Sequence, residues 1–235
     1  MPISHKHRCI FVHIPKNAGS SIEKALGVWG VDNNGSLKPH SYEILFGVDR
    51  GKALQHLTMN EIKEIGPIGS NGYYSFAFVR NPFERMVCEY HWRIKEGYKF
   101  KSFDEFIFRY FPLRKRWFQS RKDRLFQDHF TPQYQFTHTK TLGELPGMSL
   151  GGPHLKDKGK PRLYSYHSQI VDYVGRMENF EDDFRWIATR IGIDPVCPHV
   201  NKSEKVNYRP YYRKETQRLI EDAYERDLEI FKYTF

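Results

Sequence analysis

The stretch Arg8-Cys9-Ile10-Phe11-Val12-His13-Ile14-Pro15-Lys16-Asn17-Ala18-Gly19-Ser20-Ser21 decides how this 235-residue chain is read. From Ile10 to Ile14 only His13 is not apolar, which suits a short strand buried on both faces. Gly19-Ser20-Ser21 ahead of Ile22, Ala25 and Leu26 suits a helix whose first backbone N–H groups are free. Those donors, the positive end of the helix dipole and the Lys16 ammonium converge where an anion would be stabilised. The common nucleotide loop, G-x-x-x-x-G-K-[ST], places its lysine after the last glycine, whereas here Lys16 precedes Gly19. Nothing downstream reads clearly as an apolar strand ending in a Mg²⁺-binding aspartate, so an anion held without a metal is the simpler reading. The plain alternative is a strand, turn and helix with a surface lysine.

A second segment works with the first. Tyr73-Tyr74-Ser75-Phe76-Ala77-Phe78-Val79 is aromatic and β-branched, and it stops at Arg80-Asn81-Pro82, where proline suits the first turn of a helix. Arg80 then falls where strand meets helix, the edge at which parallel sheets bind ligands. Cys88, eight residues on, lies about two helical turns further, so both residues can border one pocket.

Together the two segments resemble the cofactor signatures of sulfotransferases that use 3′-phosphoadenosine 5′-phosphosulfate, PAPS. The closest likeness is to the carbohydrate branch that includes heparan sulfate 2-O-sulfotransferases and related bacterial enzymes. There, a loop P-K-[TN]-[AG]-[GS]-[ST]-[ST] wraps the 5′-phosphosulfate. Pro15, Lys16, Asn17, Ala18, Gly19, Ser20 and Ser21 match it. A second motif, R-[ND]-P-x-x-R-x-x-S-x-Y, binds the 3′-phosphate, and Arg80, Asn81, Pro82, Arg85 and Tyr90 match it. Cys88 stands where that motif has serine, and a thiol is the poorer hydrogen-bond donor. Weaker echoes are His129-Phe130-Thr131-Pro132-Gln133, Val174 to Phe180, Asn201-Lys202-Ser203 and Tyr224 to Phe231. The resemblance implies PAPS as donor, 3′-phosphoadenosine 5′-phosphate as product, and no metal.

Composition sets independent bounds. A 235-residue chain with 39% hydrophobic residues can bury a sizeable core, and its length suits one α/β domain, 1–235, without linker or repeat. The formal charge of +9 favours an anionic partner without choosing among nucleic acid, membrane surface, nucleotide and acidic polysaccharide. No segment has the ~18 apolar residues of a membrane span, and no apolar signal core opens the chain. The expectation is a cytoplasmic, bacterial protein, or else the trimmed domain of an anchored Golgi enzyme. Cys9, Cys88 and Cys197 are odd in number and lack metal-site spacing, so neither a structural disulfide nor a metal is expected.

The pattern predicts strands over 8–14, 73–79 and 170–176. Helices are predicted over 19–27, 59–65, 82–96, 103–111, 180–191 and 213–231, with an irregular loop running to about 55. A basic, aromatic stretch from Pro112 to Tyr164 is too long for a plain connection and reads as a substrate-side insert, roughly 112–164. Strands alternating with helices give the fold class: α/β, a P-loop-like central parallel sheet flanked by helices.

Sulfuryl transfer needs an activated hydroxyl and stabilisation of the charge left on the departing phosphate oxygen. Lys16 suits the second task. For the first, histidine has the ordinary pKa nearest neutrality. Of eleven histidines, His56 is the leading candidate, because it precedes a helix on a loop after the first βα unit. The 2-O-sulfotransferases place a histidine base in a comparable G-H-[VL]-x-x segment. A locally packed histidine is its plain alternative, and His40 and Tyr42 are substitutes in the same loop. His13 reads equally as a packed strand-end residue and as a catalytic group. His129 reads as a substrate contact or second acid/base, or as a fold contact. Gln133 joins it by resemblance on the substrate side. Glu178 suits orienting a base or sugar hydroxyl, or anchoring an arginine.

The basic, aromatic run Arg114 to Arg124 fits a nucleic-acid patch, a solvated helix face, or the border of an acidic-sugar cleft with Trp117, Phe118 or Tyr134 stacking on sugar rings. Lys156, Lys158 and Lys160 lie in a glycine-rich stretch able to close over donor or acceptor. By a looser carry-over, Lys202, Ser203 and Lys205 are phosphate contacts. The reading is thus a PAPS-dependent O-sulfotransferase acting on a carbohydrate, with no nucleic-acid partner and no membrane span. The competing readings are a non-enzymatic module binding acidic glycans or nucleic acid, and an ATP phosphotransferase.

Overall fold

The computed structural model describes residues 3–27, 29–31, 37–39, 48–49, 52–53, 56–65, 72–112, 128–144, 163–198 and 207–235. Strands β1 (Ile3–Ser4) and β2 (Cys9–Val12) lead into α1 (Gly19–Ala25). Two short hairpins follow, β3 (Trp29–Val31) with β4 (Leu37–Pro39), and β5 (Val48–Asp49) with β6 (Lys52–Ala53). Next come α2 (Met59–Ile65), β7 (Tyr74–Val79) and the long α3 (Pro82–Lys95). Asn81 starts α3 by accepting the Phe83 backbone N–H at 3.0 Å, and Pro82 fills the first helical position, where a missing N–H costs nothing.

The central sheet has the order β1-β2-β7-β10, where β10 is Tyr173–Arg176. β2, β7 and β10 run parallel, with Val12 opposite Ala77 and Arg176 opposite Val79, and only β1 is antiparallel. Alternation along β2 and β7 sends side chains to two cores. Ile10, Val12, Ala77 and Val79 pack with Leu57, Met59, Ile62 and Phe136 on one face. Cys9, Phe11, Phe76 and Phe78 pack with Ile22, Leu26, Phe184 and Ile187 on the other. This is a mixed α/β fold with a mostly parallel, doubly covered sheet.

Helix α3 anchors a third cluster, in which Phe83, Met86 and Val87 meet Phe103, Phe106, Ile107, Ile220 and Tyr224. The expected helix over 103–111 begins as α4 (Phe103–Glu105) and passes into a π turn over Phe106–Tyr110. Within the expected insert, α5 (Tyr134–Thr137) leads into β8 (His138–Glu144), which pairs antiparallel with β9 (Leu163–Gln169). His138-Thr139-Lys140-Thr141 lacks an apolar alternation, so this hairpin left no pattern to read. The strand expected from 170 accordingly starts at Tyr173.

Helix α6 (Phe180–Ile191) spans its predicted range. The single helix expected over 213–231 is two, α7 (Lys214–Ala223) and α8 (Glu225–Phe231), broken at Tyr224. Tertiary bonds hold the break in place. The Tyr224 hydroxyl donates to the Phe130 carbonyl at 2.9 Å, and the buried Asp227 carboxylate accepts the N–H groups of Gln133 at 2.8 Å and Tyr134 at 2.9 Å.

Gly175 is a packing requirement of the sheet, since a Cβ there would lie 2.6 Å from Cε1 of Phe78. Gly175→Ala is therefore expected to destabilise the fold by about 1–3 kcal/mol through overpacking, measured as a lower urea midpoint at unchanged m-value.

Candidate active site

Because β2 and β7 are adjacent and parallel, residues 13–18 and Arg80 leave the sheet at the same edge. The loop after β2 bends sharply. Lys16 has φ +71° and Ala18 φ +59°, left-handed conformations that L residues hold at a cost. Ala18 precedes α1 without a side-chain cap, and α1 has no acidic residue in its first turn, which leaves that end positive. Gly19 permits a close approach: a Cβ at this position would stand 1.8 Å from His13 Nε2.

Buried polar side chains fasten the two loops and their surroundings. Arg85, buried on α3, donates from Nε to the Pro15 carbonyl at 3.3 Å and from Nη2 to the His129 and Thr131 carbonyls at 2.8 and 3.0 Å. Gln133 Oε1 accepts from Asn17 Nδ2 at 2.8 Å and from the Arg80 backbone N–H at 2.9 Å, while its Nε2 donates to the Arg80 carbonyl at 2.8 Å. Asn17 also donates to the Phe78 carbonyl at 2.7 Å. Glu178 accepts the Asn81 backbone N–H at 2.8 Å and the Tyr233 hydroxyl at 2.9 Å, joining the end of β10 to the start of α3 and the C-terminus. Two of the three predicted substrate contacts, Gln133 and Glu178, thus have their polar atoms engaged by the fold.

Beside this edge stand three histidines. The His56 ring lies edge-on to His13 at 4.8 Å and to His129 at 5.4 Å. His13 Nδ1 is 2.6 Å from the buried Glu23 carboxylate. His129 Nδ1 is 2.7 Å from Glu89, whose other oxygen accepts from Arg93 Nε at 2.6 Å. Carboxylates therefore orient the two outer imidazoles, with His56 between them. Burial, followed by the positive charge of His13 and His129 when protonated, holds His56 well below its ordinary value. Burial also lowers His129, against the opposing pull of Glu89. At neutral pH both imidazoles are uncharged and able to accept a proton.

Lys16 Nζ sits 4.9 Å over the Trp92 ring, and Trp92 stacks on His129 at 4.7 Å. Burial pushes the Lys16 ammonium down to about 8, Arg80 and Arg93 add to this, and Glu89 and the Cys88 sulfur oppose it. Lys16, Arg80, Cys88 and Glu89 thus share one electrostatic neighbourhood. Arg80 Nη1 lies against Cys88 Sγ at 2.5 Å and reaches Glu84 at 3.8 Å. Its buried Nε has no hydrogen-bond partner among the described residues, and the same holds for Arg85 Nη1. Unpaired buried donors of this kind carry a cost that an anion would relieve.

Of the residues expected from sequence, Pro15 to Ser21, His56, Arg80, Cys88, His129, Gln133 and Glu178 cluster about this edge. Lys202, Ser203, Lys205, His40, Tyr42, Trp117, Phe118, the run 114–124 and Lys156, Lys158 and Lys160 lie outside the described residues. Sequence reading passed over Glu23, Glu89 and Trp92. Glu89 had a signal in Arg85 and Arg93, placed four residues to either side on α3, a spacing that puts all three on one helix face. Glu23 had none, because its partner His13 comes from the loop after β2.

The profile of the sulfotransferase family matches residues 1–145 of the 235. The chain belongs to this family, whose enzymes transfer sulfate to an acceptor. No curated protein and no solved structure matches it. Among the described residues no helix is long and apolar enough to cross a membrane.

Glu89 supports an acid-sensitive fold. Burial alone would raise its carboxyl, but His129, Arg93 and Lys16 prevail and bring it from 4.5 to about 2. A depressed carboxyl stabilises the folded state fully above about pH 5 and loses that contribution as pH falls towards 2. Glu89→Gln is expected to cost about 3–5 kcal/mol at neutral pH, by leaving Arg93 buried and unpaired. It should also flatten the loss of stability between pH 5 and pH 2, read from urea midpoints.

Proposed function

We propose that the protein transfers the sulfuryl group of PAPS to a hydroxyl of a carbohydrate, with 3′-phosphoadenosine 5′-phosphate as the second product. The observation that carries this reading is the convergence of Lys16 and Arg80 on one sheet edge, from two loops bolted together by Arg85 and Gln133. In this reading the P-loop-like turn Pro15 to Ser21 surrounds the 5′-phosphosulfate, and Lys16 balances the negative charge that grows on the departing phosphate oxygen. Arg80, with Cys88 beside it, takes the 3′-phosphate, and its unpartnered Nε is the donor in want of an acceptor.

His56 takes the acceptor proton as the oxygen attacks sulfur. Its neutral form at physiological pH suits a base, and its position between His13 and His129 keeps it near the lysine loop through Trp92. His129, set by Glu89, is placed to carry that proton onward or to meet the acceptor. The carbohydrate acceptor rests on the resemblance to the 2-O-sulfotransferase branch. The cytoplasmic location rests on the sequence expectation alone.

The decisive measurement is calorimetric binding of 3′-phosphoadenosine 5′-phosphate to the folded protein; no binding defeats the reading. Lys16→Ala should weaken it about 10- to 100-fold, the worth of a charge-assisted contact. His56→Ala should spare that affinity and slow transfer to desulfated glycans by about 10²–10⁴-fold.

The lowered Lys16 value gives a further expectation. A bound anion favours the ammonium form, so the nucleotide should draw a proton onto Lys16 when binding is measured above pH 8. Proton uptake, read from calorimetry in buffers of different ionisation enthalpy, should disappear in Lys16→Arg, whose charge does not titrate.

A further inference from the structure

The three cysteines differ in a way that bears on the donor site. Cys9 and Cys197 are buried, and burial pushes both thiols up to about 12, which leaves them protonated and inert. Cys88 is half-exposed on α3. Its sulfur lies against Arg80 Nη1. Arg80 is itself nine-tenths buried, and its Nε has no partner among the described residues. The one accessible thiol among these three cysteines therefore sits on the guanidinium read above as the 3′-phosphate ligand.

We propose that Cys88 is a modification site, at which thiol–disulfide exchange with a small acidic disulfide reversibly blocks the 3′-phosphate end of the donor site. The effect on donor binding rests on the proposed function, whereas the site of modification does not. In the exchange, the Cys88 sulfur gives up its proton and attacks one sulfur of the disulfide. A new S–S bond forms as the old one breaks, and the bonding pair leaves on the second sulfur, which takes up a proton. No net oxidant is consumed beyond the disulfide itself. Arg80 serves this step twice. Its positive charge faces the sulfur that must carry negative charge to react, and its buried, unpartnered Nε would gain an acceptor in a carboxylate of the incoming group. A serine, the residue that the resembling motif carries here, has no such chemistry.

The test is treatment of the native protein with oxidised glutathione, followed by peptide mass spectrometry and calorimetry with 3′-phosphoadenosine 5′-phosphate. Glutathione should appear on Cys88 and on neither Cys9 nor Cys197. Nucleotide affinity should fall about tenfold or more, as expected when a charged contact is lost, and dithiothreitol should restore it. Prior saturation with the nucleotide should slow the labelling. Cys88→Ser, compared before and after treatment, should show no change in affinity.

Labelling that spares Cys88 in the folded protein overturns the proposal. So does labelled protein that binds the nucleotide as tightly as unlabelled. Should the reduced wild-type protein bind no nucleotide, the donor reading fails on its own, while mass spectrometry still decides whether Cys88 is the modified residue.

Discussion

The parallel pairing of Cys9–Val12 with Tyr74–Val79 is the constraint on which the rest of this molecule depends. Two adjacent strands running the same way release their next residues at one edge. Lys16 and Arg80, separated in sequence by α1, two hairpins, α2 and β7, therefore become neighbours. Buried side-chain hydrogen bonds then fix how the two loops lie. Arg85 ties the lysine loop to residues 129–131, and Gln133 ties Asn17 to the Arg80 backbone. A buried arginine on three carbonyls and a buried glutamine on two loops are costly to break, since each loss would strand several polar groups away from water.

The charge pattern at this edge is unsaturated in a directed sense. Glu89 is shared by His129 and Arg93, so it does not neutralise Lys16 by direct contact, and Lys16 rests instead on the face of Trp92. Arg80 meets a thiol and a distant Glu84 where a close carboxylate would have quenched it. Cations brought together without close counter-charges favour an anionic ligand, and burial strengthens that preference by removing water. The same arrangement keeps His56 and His129 uncharged beside the cations. Neutral imidazoles and cationic side chains thus share one edge of the sheet.

Legibility in the sequence followed the range of the interaction involved. Helices over 59–65 and 180–191 appear with their predicted bounds, because amphipathic periodicity is local. Asn81-Pro82 announced the start of α3 for the same reason. The β8–β9 hairpin was not legible, since its strands are held by pairing with each other and show no apolar alternation. The break at Tyr224 was also hidden, because it serves Phe130, Gln133 and Tyr134, roughly ninety residues away. At the site, the cationic residues stood out as motifs, whereas Glu23 and Trp92 gave no sign before their partners were brought to them.

The sequence by itself determined the alternation of strands and helices, the positions of the two loops that leave the sheet edge and the family, because strand, turn and helix-start signals each act over a few residues. Only the tertiary structure decided that His56 stands between His13 and His129, that Glu89 orients one of them, and that Gln133 and Glu178 spend their polar atoms on the fold. Those assignments depend on which elements meet across the sheet edge, and contact between residues far apart in the chain leaves no periodicity along it.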